Sequence, residues 1–143
     1  MDNNQELYSK QITKAHLLSV SLGAILGTSL RFFALSFIEL AFQFYSILVI
    51  NVIGSVIFAV VSQFESIIPK NLRLFILTGF CASFTTFSAT IYYAHSYAQQ
   101  ARSNFDLDMY LIALFGNFFM TLLFSIIAIK ITNKLFKNTK EAN

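Results

Sequence analysis

The chain has 143 residues, of which 56% are hydrophobic and only 12% are charged, with a net charge of +3. Soluble domains carry about 25% charged residues, so this composition excludes an ordinary soluble fold and describes one integral membrane domain. The basic residues gather at the ends of apolar segments, which marks membrane topology and gives no case for nucleic-acid binding.

Residues 1–15 are polar and mixed in charge, and no cleavable signal is expected from them. Four apolar segments follow, at roughly 16–37, 41–63, 71–98 and 109–132. Each is long enough to cross a bilayer, and the short links between them make sequential helices antiparallel neighbours. The fold expected is therefore all-α, with four transmembrane helices. No internal repeat or low-complexity tract interrupts this plan.

In the first segment Ser19, Gly23, Gly27 and Arg31 recur every four residues and share one face. Small residues at that spacing let another backbone approach closely, which gives Gly23 and Gly27 a packing role. A guanidinium is costly in hydrocarbon, so Arg31 either faces an interior or wet cavity or snorkels to the far interface.

The second segment places Asn51 near its centre, with Ser55 one turn on and Gly54 and Phe58 on the neighbouring stripe. A carboxamide in lipid without a partner costs several kcal/mol, so Asn51 must face protein or water. It can pin one helix to another, or its NH₂ can donate to an anion.

The third segment is too long for one plain span of about 20 residues at 1.5 Å each. Its centre, GFCASFTTFSAT at 79–90, crowds Ser83, Thr85, Thr86 and Ser88 into six positions. Either those hydroxyls bond back to carbonyls one turn earlier in a continuous helix, or the helix breaks at mid-membrane and offers free N–H and C=O groups to ions. Cys81 has no cysteine partner in the chain and no metal-ligand companions, and is expected to be a packed apolar residue. Tyr97 suits an interfacial aromatic belt, and His95 lies near the membrane surface. In the fourth segment Asn117, Thr121 and Ser125 form one polar stripe, suited to interhelical hydrogen bonds or to an ion path.

With four spans, the N-terminus, the 63–70 loop and the C-terminus share one side. That side holds eight basic residues: Lys10, Lys14, Lys70, Arg73, Lys130, Lys134, Lys137 and Lys140. The other side holds Arg102 with Glu39, Asp106 and Asp108. The positive-inside rule places both termini in the cytoplasm of a multi-pass protein of the cell membrane.

No hydrolase elbow, phosphate loop or metal-binding His/Cys spacing is present, and Ser88 has no positioned base, so an enzyme is not expected. No carboxylate lies within a span, which argues against a small four-helix multidrug exporter, the transporter alternative for a chain of this size. What remains in the membrane is neutral donors, phenylalanine rings and one arginine. Amide and hydroxyl protons and the positive edges of aromatic rings suit an anion.

Three motifs, with the size and four spans, resemble the Fluc (CrcB-type) family of small fluoride channels. GAILGTSLRF at 23–32 is similar to the family's GxxxGxxxR[YF]. VINVIGSVIF at 49–58 is similar to NxxGSF, with Val56 for the phenylalanine, and GFCASFTTFSAT is similar to GFCGGFTTFSTF. The resemblance implies a dimer of antiparallel subunits in the bilayer, enclosing two narrow fluoride pores that relieve fluoride toxicity by passive export. It implies a sodium ion at the dimer centre held by backbone carbonyls, which fall on Ala82 and Thr85. The pore asparagine falls on Asn51 and the first pore phenylalanine on Phe87. The second falls on Thr90, which is not aromatic, and Ala82-Ser83 replaces Gly-Gly. With these positions Ser88, Thr121 and Ser125 complete the expected fluoride path, and Gly23, Gly27, Arg31 and Gly54 the expected framework. The charge bias predicts insertion one way only. The antiparallel pair would then be a heterodimer with a homologous, oppositely oriented subunit, and this chain a channel half or a non-conducting partner.

Overall fold

The computed structural model describes residues 14–100 and 107–141. Lys10, Arg102 and Asp106, on which the charge argument draws, lie outside the described residues, as do the side chains of Tyr97, Asp108, Lys137 and Lys140. Among the described residues the chain is helical, without strands, and contains four helical stretches long and apolar enough to cross a membrane.

Helix α1 covers Lys14–Ser36 and α2 covers Leu40–Ser62. Both are long apolar runs without proline, and their hydroxyls do not disturb them. Ser19, Ser36, Ser46 and Ser55 donate to the carbonyls of Ala15, Phe32, Phe42 and Asn51, one turn back, at 2.7–3.0 Å. The turn after α2 is tied by Arg73, whose guanidinium pairs with Glu65, and ends at Pro69 with φ −55° and ψ 140°.

The third span is composite. It begins with α3 at Lys70–Arg73, continues as a π-helical stretch over Leu74–Cys81, and returns to a short α4 at Ala82–Phe84. Thr85 is extended, with φ −77° and ψ 155°, and helix resumes as α5 over Phe87–Gln100. The last helix, α6, spans Leu107–Glu141 and runs past the expected end at 132. Its apolar stretch closes near Phe136. The Lys-, Asn- and Thr-bearing turns beyond need no lipid to hold helical hydrogen bonds.

Helix α1 packs chiefly on the π-helical stretch, while α2 packs chiefly on α6, with α5 against both α2 and α6. Glycine decides the first contact. A β-carbon on Gly79 would lie 2.5 Å from the Val20 carbonyl oxygen and 2.9 Å from the Gly23 Cα. One on Gly23 would strike the Phe75 carbonyl, and one on Gly27 would meet the backbone of Phe80 and Phe84. Two backbones therefore touch along this seam, which is how membrane helices gain van der Waals contact without a hydrophobic driving force. Gly54 performs the same service on α2, where a β-carbon would collide with the Thr85 methyl.

The buried apolar core is small: Ile47, Ile50, Ala59, Cys81 and Phe84. Large apolar side chains cover the outside instead, among them Phe32 and Phe37 at 75% exposure. That inversion suits a molecule surrounded by lipid or by a second subunit. Cys81, at 2% exposure, is packed as its sequence setting predicts.

Candidate functional site

The site is organised by one pairing at the interruption of the third span. A continuous helix would give the Thr86 N–H to the Ala82 carbonyl. Here it goes to Asn51 Oδ1 at 2.8 Å, and Asn51 Nδ2 donates to the Thr86 carbonyl at 3.0 Å. The Asn51 carboxamide thus satisfies both backbone groups of Thr86, as a neighbouring peptide would. This is the requirement that apolar surroundings impose on a non-helical residue. Thr86 in turn starts α5. Its Oγ1 accepts the Ala89 N–H at 3.3 Å, the standard capping bond to the third helical residue.

Two further side chains close a ring behind this pair. Asn51 Nδ2 also faces Asn117 Oδ1 at 3.2 Å and Thr90 Oγ1 at 3.4 Å. Asn117 Nδ2 donates to Thr90 Oγ1 at 3.0 Å, and the Thr90 hydroxyl donates to the Thr86 carbonyl at 3.2 Å. All three side chains are buried, Thr90 at 1% exposure, Asn51 at 5% and Asn117 at 8%. Among the described residues no buried side-chain polar atom lacks a partner.

The neighbouring residue, Thr85, is held from the other side. Its N–H and its hydroxyl both go to the Cys81 carbonyl, at 3.0 and 2.9 Å. Its own carbonyl, which the extended conformation turns out of the helix, accepts from Arg31 Nη1 at 3.2 Å. Arg31 is therefore turned inward and partly buried, rather than extended to the far interface.

Three grooves surround the interruption. One, of about 300 Å³, is lined by Asn51, Ser55, Ala82, Thr85, Thr86, Phe87, Asn117 and Thr121. It brings together three of the six expected path residues, Asn51, Phe87 and Thr121, and Phe87 stands in it 64% exposed. The Thr121 hydroxyl donates back to the carbonyls of Asn117 and Phe118, each at 2.9 Å, which leaves its lone pairs and not its proton for the groove. A second groove, of about 450 Å³, holds Gly54, Ser125, Ala82 and Thr85. A third, of about 550 Å³, holds Arg31 and Ser88 with Thr28, Gln43, Tyr92 and Tyr93. Thr90 lies on none of these walls. It sits behind Asn51 as part of the ring.

The sequence pattern singles out Asn51, Phe87 and the hydroxyls, but not Thr86 as the partner of Asn51 nor the tie between Asn117 and Thr90. The helical spacing of Asn117, Thr121 and Ser125 signals a polar stripe. Which residue it faces depends on contacts far apart in the chain.

None of the grooves has a carboxylate among its lining residues, and among the described residues no cluster of His, Cys, Asp and Glu could hold a metal ion. The donors available are neutral amides and hydroxyls, backbone carbonyls and one guanidinium. Comparison with known proteins agrees with that chemistry. A family model described as CrcB-like protein, Camphor Resistance (CrcB), matches residues 18–131. A fluoride-specific ion channel FluC of Acinetobacter baylyi is 32% identical over 111 residues, covering 75% of this chain and 88% of the relative. One from Clostridium perfringens is 32% identical over 125 residues, covering 83% and 94%. One from Prosthecochloris aestuarii is 38% identical over 82 residues, covering 53% and 63%.

Proposed function

The chain belongs to the CrcB-like family, and from that membership we propose that it is a subunit of a fluoride-specific channel that lets cytoplasmic fluoride leave the cell passively. The observation that carries this reading is the groove at the interruption. It sets the Asn51 and Asn117 amides, the Phe87 side chain and hydroxyl oxygens around one space without an acidic side chain. Fluoride is a small, strongly hydrated anion, and N–H donors with aromatic edges replace its water without a countercharge that would trap it. Relatives that share up to 94% of their length with this chain bear the name fluoride-specific ion channel. Hydrogen fluoride crosses membranes as a neutral molecule and dissociates inside, and the membrane potential then drives the anion outward.

In this reading the interruption at Thr85 and Thr86 lies at mid-membrane, where two antiparallel subunits meet. Ala82 and Thr85 would hold a structural sodium ion through their carbonyl oxygens. The donor chemistry fits, since a hard cation takes carbonyl oxygens and the Ala82 carbonyl has lost the Thr86 N–H to Asn51. The Thr85 carbonyl already accepts from Arg31, and its second lone pair is the one open to a cation.

Charge bias supports both termini in the cytoplasm, and therefore a homologous, oppositely oriented partner in a heterodimer. A second reading, in which this chain is the non-conducting half, draws on Thr90, which stands where the family pattern has an aromatic residue and is tied to Thr86 and Asn117. Fluoride efflux from liposomes holding this subunit alone tests the proposal. Efflux that Asn51→Ala abolishes supports the conducting role. No efflux alone, but efflux on adding the partner subunit, supports the second reading.

A further inference from the structure

We propose that Asn117 is a latch on the fluoride path: its carboxamide oxygen occupies the Asn51 proton that an anion would need, and an ion passes only by displacing it. The inference rests on the channel reading above and adds a residue that sets selectivity.

The argument begins with a proton count. Asn51 Nδ2 carries two protons. One is committed to the Thr86 carbonyl at 3.0 Å. The other is shared between Asn117 Oδ1 at 3.2 Å and Thr90 Oγ1 at 3.4 Å, the nearer one a neutral acceptor standing where an anion would have to stand. The carboxamide orientations follow from the partners. Asn51 must point its oxygen at the Thr86 N–H, so its nitrogen faces Asn117, which must then present its own oxygen. With one Asn117 Nδ2 proton on Thr90 and Thr90 on the Thr86 carbonyl, the ring is closed and both Asn51 protons are engaged.

A closed ring opens at its least anchored member. Asn51 is fixed by two bonds to backbone, and Thr90 by one to the Thr86 carbonyl. Asn117 is held by two side chains, Asn51 and Thr90, and borders the groove shared with Phe87. Rotation of its side chain would leave one Asn51 proton with only the longer contact to Thr90 and bring its own NH₂ to the same groove. An arriving anion then meets two amide donors.

Opening the ring gives up two neutral hydrogen bonds, and the ion must supply stronger ones. Hydrogen bonds to an ionised acceptor are about twice as strong as neutral ones. Fluoride, the most compact halide, accepts the strongest of these, while chloride spreads its charge and accepts weaker ones. The latch therefore discriminates against the wrong ion by a cost that only fluoride offsets.

The test measures fluoride and chloride efflux from liposomes holding the full chain as it is purified, with melting of each variant as a check on folding. Asn117→Asp keeps the acceptor and charges it. It should grip the Asn51 proton harder, repel anions and lower fluoride efflux by about tenfold or more. Asn117→Ala removes the acceptor. One of the two amide donors goes with it, so fluoride efflux should fall, though less than in Asn117→Asp, while the preference for fluoride over chloride falls about tenfold, the ratio that 1.4 kcal/mol carries. If both folded variants lose efflux alike and keep wild-type selectivity, Asn117 has only a structural role and the latch is overturned. Asn51→Ala passing fluoride as the wild type does would refute the pathway itself, and the latch with it. A second measurement needs no conduction. In the protein labelled with ¹⁵N-asparagine, sodium fluoride should shift the Asn51 and Asn117 side-chain amide resonances and sodium chloride should not. Resonances unmoved by fluoride overturn the proposal even for a subunit that carries no current alone.

Discussion

The Asn51 side chain and the Thr86 peptide group face each other through two opposed hydrogen bonds, 2.8 Å into Oδ1 and 3.0 Å out of Nδ2. An amide side chain has in effect replaced a turn of helix. The pairing needs one donor and one acceptor on a single planar group, which only asparagine supplies at this length.

Asn51→Asp keeps the acceptor for Thr86 and removes the donor, while adding a negative charge beside the proposed path. Fluoride efflux should collapse. The melting free energy should fall by about 1–3 kcal/mol as the Thr86 carbonyl loses one of its two donors in a dry site, keeping only the Thr90 hydroxyl. Liposome efflux and detergent melting measure the two effects, and efflux at the wild-type rate from the folded variant would remove Asn51 from the path.

Thr90→Phe restores the aromatic residue of the family pattern, yet it should not restore a pore position. At 1% exposure the site has no room for a ring, and the substitution breaks the bonds to Thr86 and Asn117. Overpacking and lost hydrogen bonds together should cost about 2 kcal/mol or more. A variant as stable as the wild type, with higher efflux, would show that the pocket opens to the path.

Gly79→Ala places a methyl 2.5 Å from the Val20 carbonyl, where only backbone can yield. Forcing α1 off its neighbour should cost about 1–3 kcal/mol. Gly116→Ala, with open space around its Cβ, should cost nothing and serves as the control in the same melting series.

Thr85→Ser preserves the backbone and the hydroxyl bond to Cys81, and should keep any stabilisation by sodium. Thr85→Pro fits the local φ of −77° but deletes the N–H donated to Cys81 and disfavours helical Phe84 before it. It should lower stability and lose the sodium effect. Melting in sodium against an organic cation reads both; a wild type indifferent to sodium would remove the ion from Ala82 and Thr85.

Orientation is tested by labelling single cysteines, Asp2→Cys and Asn143→Cys in a Cys81→Ala background, with an impermeant reagent from outside the cell. Neither should react until the membrane is opened. Labelling of an equal share of chains from each side would indicate dual insertion and remove the need for an oppositely oriented partner.

Much of the helical plan is written in the apolar runs, because length and hydropathy are local properties. The π-helical stretch is not, since eight residues are too few for its longer period to show against 3.6. At the site, Asn51 is conspicuous as an amide among aliphatic residues. Its partner Thr86 is one hydroxyl residue among four neighbours, and the bond involves its backbone, which has no sequence signature. Thr90 is legible only as an aromatic residue replaced. The bond it makes with Asn117 spans 27 positions and exists only because α5 and α6 lie side by side.

Thr85 and Thr86 are adjacent, yet they are claimed by different halves of the molecule. Arg31 on α1 holds the carbonyl of the first, and Asn51 on α2 holds both backbone groups of the second. Helix α1 rests on the earlier part of the third span, whereas α2 and α6 form the other packed pair. The single peptide link between these residues is therefore a fulcrum. A tilt of α1 against α2 would be delivered as torque on that link.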